Sequence, residues 1–205
     1  MAGRREQLAL LAAVVAILVW SGIGPHDRVT WWLEVAPVLL VVPLLIATAR
    51  RFPLTRLLLW LIAVHAAILM VGGHYTYALV PAGAWASELL GLARNHYDRL
   101  GHFAQGFIPA ILAREILVRT SPLRGSRWLP FVVVAFCLAF SAFYEMIEWW
   151  TAVLAGASST AFLGTQGDVW DTQWDMFLAL IGAASALLVL SRAHDRQLAR
   201  LPSGR

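Results

Sequence analysis

Of 205 residues, 60% are hydrophobic and 14% charged, with a mean hydropathy of +0.68. A soluble domain carries roughly a quarter charged residues, so this composition excludes an ordinary soluble core and indicates an integral membrane protein. The net charge of +4 comes from sixteen arginines with no lysine, flanking apolar runs rather than forming a basic stripe with interleaved aromatics. Nucleic acid is therefore not an expected partner.

A bilayer core takes about 20 mostly apolar residues per helix. Six segments qualify, at about 7–23, 31–49, 54–73, 99–118, 128–150 and 173–191. The first follows Arg4 and Arg5 but lacks a small-x-small cleavage site, so it reads as a helix and not as a signal peptide. The fourth is the weakest, because Arg114 and Glu115 interrupt it. The sixth is short unless it includes Asp175. The single cysteine, Cys137, lies in an apolar run and reads as a small buried hydrophobe.

The expected fold is all-α: one polytopic transmembrane bundle of six helices spanning residues 1–205. With the N-terminus in the cytoplasm, six crossings return the C-terminus there. Thirteen arginines then fall inside, leaving Arg28, Arg94 and Arg99 outside, a strong positive-inside asymmetry. The expected location is the bacterial inner membrane, and the expected partners are membrane lipids. The sequence specifies no protein partner.

Polar residues collect at the outer end of this topology. His74, Tyr75 and Tyr77 follow the third segment. Arg94, His96, Asp98, Arg99, His102 and Gln105 precede or open the fourth. Tyr144, Glu145 and Glu148 close the fifth, and Asp168, Asp171, Gln173 and Asp175 lead into the sixth. Asp98, His102 and Gln105 share one helical face, as do Glu145 with Glu148 and Asp171 with Asp175. Three helices can thus aim acids, an imidazole and an amide into one pocket facing the periplasm. Several carboxylates together repel and need protons, Arg94 or Arg99, or a metal ion to offset them.

The candidate catalytic or metal-binding set is therefore Asp98, His102, Glu145 and Asp175. His74, Tyr77, Arg94, His96, Gln105, Tyr144, Glu148, Asp168 and Asp171 surround it. The donor mixture suits a divalent cation such as zinc, manganese or iron, which could activate water for hydrolysis. A carboxylate beside a histidine could instead do acid–base work without metal. In the structural alternative, Asp98 and Asp175 cap helices and Glu148 braces Arg99. His65 reads as a hydrogen-bonded core residue, and His26 and His194 as solvated.

The stretches "GGHYTYALVP", "RNHYDRLGHFAQGF", "EMIEWW" and "FLGTQGDVWDTQWDM" resemble the uncharacterised bacterial inner-membrane family that includes YjdF. That resemblance implies the topology and adds no reaction. A looser similarity is to the VanZ-like proteins, associated with teicoplanin resistance. It rests on Asp98, Arg99, His102, Glu145 and the series Asp168, Asp171, Asp175 and Gly182. Glu148 and Asp175 stand where that pattern has a glutamine and an asparagine, and both departures add negative charge. Three functions follow as expectations: an intramembrane enzyme acting on a lipid or lipid-linked envelope substrate, a non-catalytic scaffold, and an ion-coupled transporter.

Overall fold

The computed structural model describes residues 2–155 and 165–201. The described residues form seven α-helices and no strand: α1 (Arg4–Gly22), α2 (Arg28–Thr48), α3 (Arg56–Tyr75), α4 (Pro81–Leu90), α5 (Tyr97–Thr120), α6 (Trp128–Ala155) and α7 (Asp171–Leu198). Helices α1, α2, α3, α6 and α7 are long and apolar enough to cross a membrane. The sequence shows their punctuation. The Asp27 carboxylate accepts from the Thr30 amide at the start of α2, and Thr55 caps α3. The short α4 is an addition to the expected elements. Pro81 sits in its first turn and Gly91 ends it at φ 65°, and ten residues cannot span a bilayer.

Helix α5 packs most extensively on α7 and also meets α3 and α6. It buries twelve of its 24 residues, whereas α1 buries only Val14 and Ser21. A helix shielded from lipid by its neighbours need not be apolar all round. That explains why this segment reads weakly in the sequence. The α5–α7 contact depends on glycine. A Cβ on Gly106 would overlap the Ala179 carbonyl, and one on Gly182 would overlap the Phe103 carbonyl. Small residues let two helix backbones approach this closely. Ala110, Ala183 and Ala186 continue the seam, all fully buried.

At the C-terminal end of α5 a polar cluster ties three helices together. Glu115 accepts from the Thr55 amide (3.1 Å) and hydroxyl (2.7 Å), and from Arg119 (2.9 Å). His194 lies 2.9 Å from Glu115 through Nε2, while its Nδ1 faces an Arg114 nitrogen at 3.0 Å. A guanidinium only donates, so Nδ1 accepts and Nε2–H donates to Glu115. Arg114 also pairs with Asp195 at 2.7 Å. The expectation that His194 is solvated is therefore wrong, since its ring is completely buried. Its local sequence, "RAHDR", resembles a surface tail. Only the docking of α7 on α5 takes it inside. Arg114 and Glu115 are likewise the lock of α5 rather than its interruption.

Removing one partner from a buried, paired cluster costs about 3–5 kcal/mol. Glu115→Ala should accordingly lower the thermal unfolding midpoint in detergent. Gly182→Leu should do the same by forcing α5 and α7 apart. An unchanged midpoint in both variants would show that neither feature holds the bundle.

Candidate functional site

The site forms where α5 and α7 begin and α6 approaches its end. His102, one turn after Asp98, stands at its centre. Its Nε2 lies 3.6 Å from an Asp98 oxygen and 3.9 Å from an Asp175 oxygen, and its Nδ1 lies 3.8 Å from Glu145. Nδ1 is also 3.0 Å from Gln105 Oε1. An amide oxygen only accepts, so Nδ1 carries a proton, and Nε2 faces two carboxylates. Asp98, His102, Glu145 and Asp175 are all buried, and Glu145 Oε1 and Asp175 Oδ1 have no hydrogen-bond partner among the described residues. A buried acceptor left unpaired costs about 1–3 kcal/mol, so the arrangement calls for a cation or a proton.

Among the described residues two donor sets meet the spacing of a metal site, each with ligand atoms within 4.8 Å of one another: Asp98, His102 and Asp175, and His102, Glu145 and Glu148. The first is better suited. It uses Nε2, leaving Nδ1–H fixed by Gln105, the arrangement by which a second partner orients a metal-binding histidine. Ligand bonds of about 2.1 Å at tetrahedral angles place donors about 3.4 Å apart. The observed 3.6 and 3.9 Å separations need only a small contraction.

Arginines hold the acids above this centre. Arg94 pairs with Asp171 (2.6 Å), Asp168 (3.3 Å) and Asp98 (3.7 Å). Arg99 pairs with Asp168 at 2.7 Å and lies over the Trp174 ring. This replaces the expected Arg99–Glu148 brace. Gln166 clamps both backbone groups of Asn95, joining the loop before α7 to the loop before α5. Burial, helped by Arg99 and Arg94, lowers the pKa of His96. His96 is therefore neutral at neutral pH and adds no positive charge. Neither Asp98 nor Asp175 is a cap: His96 and Trp170 occupy the N-cap positions, with no side-chain capping bond.

His74 stands apart from the site. Its ring meets the Ser21 carbonyl (3.0 Å) and stacks near Trp20, so it joins α3 to α1. Tyr77 does reach the site. It passes between α3 and α5 through a slot where Cβ atoms on Gly72 or Gly101 would strike its ring. The turn that places it includes Thr76 at φ 56°, a left-handed backbone that only a well-packed turn holds in a non-glycine residue.

Glu34 on α2 is absent from the sequence-based set. It is buried, and Tyr144 donates to it at 3.3 Å. The available signal was simple: it is the lone charge within "WWLEVAPVLLVVPLL".

From the polar centre a cavity of about 240 Å³ runs between α2, α3, α5 and α6. Glu34, Tyr77, Asp98, His102, Gln105, Tyr144 and Glu148 line one end. Below Gln105 its wall is apolar except for His65. His65 Nε2 has no hydrogen-bond partner, contrary to the expected bonded core histidine. The part of the "FLGTQGDVWDTQWD" loop before Thr165 lies outside the described residues.

The fold and site define a multi-pass helical membrane protein with a buried acid–imidazole centre at one end. The chain belongs to the family described as predicted membrane protein DUF2238, whose model matches residues 6–196. Over 184 residues it is 58% identical to the inner membrane protein YjdF of Escherichia coli strain K12, covering 90% of this chain and 88% of that relative. It is accordingly a multi-pass protein of the inner membrane. No solved structure matches it.

Arg94 is the common partner of three carboxylates. Arg94→Ala should destabilise the protein by about 3–5 kcal/mol, and the additional variant Asp171→Asn should recover part of that loss by removing one repelling charge. A double variant no more stable than Arg94→Ala would refute this account of the charge balance.

Proposed function

We propose that this protein is an intramembrane enzyme whose Asp98–His102–Asp175 centre holds a divalent cation and acts on a lipid or lipid-linked envelope substrate. The observation that carries this reading is that Asp98 and His102 of the acid–imidazole centre line the head of an apolar cavity, with the unpartnered oxygens of Glu145 and Asp175 among the same group of acids. An amphipathic substrate would place its head at the centre and its chain along the cavity. A cation there would polarise a headgroup oxygen and lower the pKa of a bound water. Glu145 and Glu148 stand near enough to exchange a proton with it.

In this proposal α5 is the fourth of six membrane crossings, both termini are cytoplasmic and the centre faces the periplasm. The support is the division of thirteen arginines against three. Transport by the same carboxylates is less well supported, since it needs polar groups continuing through the membrane. The cavity is apolar past Gln105 apart from His65, and the far cluster around Glu115 is consumed by its own hydrogen bonds.

The test is elemental mass spectrometry on protein purified in detergent without chelator. The expected result is about one tightly held ion per chain, lost in His102→Ala and Asp175→Asn while both variants remain folded. No ion in the parent after repletion would overturn the metal centre and leave acid–base chemistry or a non-catalytic lipid-binding scaffold.

A further inference from the structure

We infer that the cavity between α2 and α6 binds one hydrocarbon chain of an amine-headed membrane lipid, taken sideways from the bilayer. The inference deepens the lipid-substrate reading above and rests on it for the choice of ligand class.

The first argument is access. Helix α2 packs on α3, and α6 on α5 and α7, but α2 and α6 make no extended contact with each other. Phe136 and Phe140 line the cavity and are 54% and 40% exposed, so the cavity opens on the side that meets hydrocarbon. The hydrogen bond from Tyr144 to Glu34 joins the two helices at the headgroup end.

The second argument is length. The lining of α5 runs from Asp98 to Leu112, and its stretch from His102 onward covers about 15 Å at the helical rise of about 1.5 Å per residue. One leaflet of a hydrocarbon core about 30 Å thick is the same length. The cavity below the acid–imidazole centre is therefore about as long as one lipid chain in its own leaflet, and past Gln105 its wall is apolar except for His65.

The third argument is charge. Glu34, Asp98 and Glu148 line the head end, and no arginine lines the cavity. Arg94 and Arg99 face Asp168 and Asp171, and Arg94 reaches the outer side of Asp98 at 3.7 Å, while Glu34 and Glu148 have no arginine partner among the described ion pairs. A bare phosphate would meet three carboxylates and two tyrosine hydroxyls, with His102 but no arginine among the described lining residues. An ammonium group offers three N–H donors to the same acceptors. A protonated amine can lie on the Glu34–Glu148 side while the Asp98–His102–Asp175 set retains a cation.

The experiment uses the full chain in vesicles with two photoactivatable probes, phosphatidylethanolamine and phosphatidylglycerol, each with a diazirine near the end of one acyl chain. Adducts are mapped by peptide mass spectrometry. The expected result is preferential labelling of the cavity residues Leu112 and Phe136 by the ethanolamine probe. Ala66→Trp should reduce it severalfold, without changing labelling at lipid-facing Leu44 and Leu188. Leu112→Trp, at the partly buried inner end, provides a second block, read at Phe136, should Ala66→Trp fail to fold. Labelling confined to Leu44 and Leu188, or unaffected by either block, would overturn the chain site. Equal labelling by both probes would overturn the amine head. Bound metal measured on the same samples separates the two proposals: adducts without metal leave this site standing while the metal centre fails.

Discussion

The structure depends on the close backbone contact between α5 and α7. Gly106 against Ala179 and Gly182 against Phe103 leave no room for a side chain. Within a bilayer the hydrophobic effect does not drive helices together, so tight van der Waals packing has to. This contact moves α5 into the protein interior, where its polar groups face other side chains. Asp98, His102, Gln105, Arg114 and Glu115 are tolerable on one 24-residue helix only because all are buried against neighbours.

The two ends of α5 treat their charges differently. At the C-terminal end Glu115 accepts from three partners and both ring nitrogens of His194 are engaged. At the N-terminal end Glu145 and Asp175 each keep an oxygen without a partner among the described residues, and His102 Nε2 faces two acids. A satisfied cluster rigidifies a bundle, and an unsatisfied one costs stability unless a ligand completes it. The first end therefore serves as the lock and the second as the working site. The apolar cavity begins at the second.

Much of the site was legible as helical spacing. Asp98, His102 and Gln105 share a face because the helix repeats every 3.6 residues, and the acids of α6 and α7 follow the same rule. The weaker readings failed where chemistry was set by distant segments. His74 lies one residue before the end of α3, and the packing of α1 on α3 sets its ring against Trp20 and the Ser21 carbonyl. Glu34 is a lone acid near the start of an apolar run, and only the placement of α6 beside α2 brings it to Tyr144. His194 sits in an arginine-rich tail, and only its contacts with Glu115 and Arg114, 79 and 80 residues away, bury it.

The sequence alone determined the membrane class, the apolar helices and the end at which the acids gather. Those properties follow from composition and periodicity, which are local. Tertiary structure decided that α5 lies inside, that Glu34 and Tyr77 join the site and that His74 leaves it. It also decided that a cavity opens between α2 and α6. Each of these depends on which helix faces which, and that is set by glycine contacts and ion pairs between residues far apart in the chain.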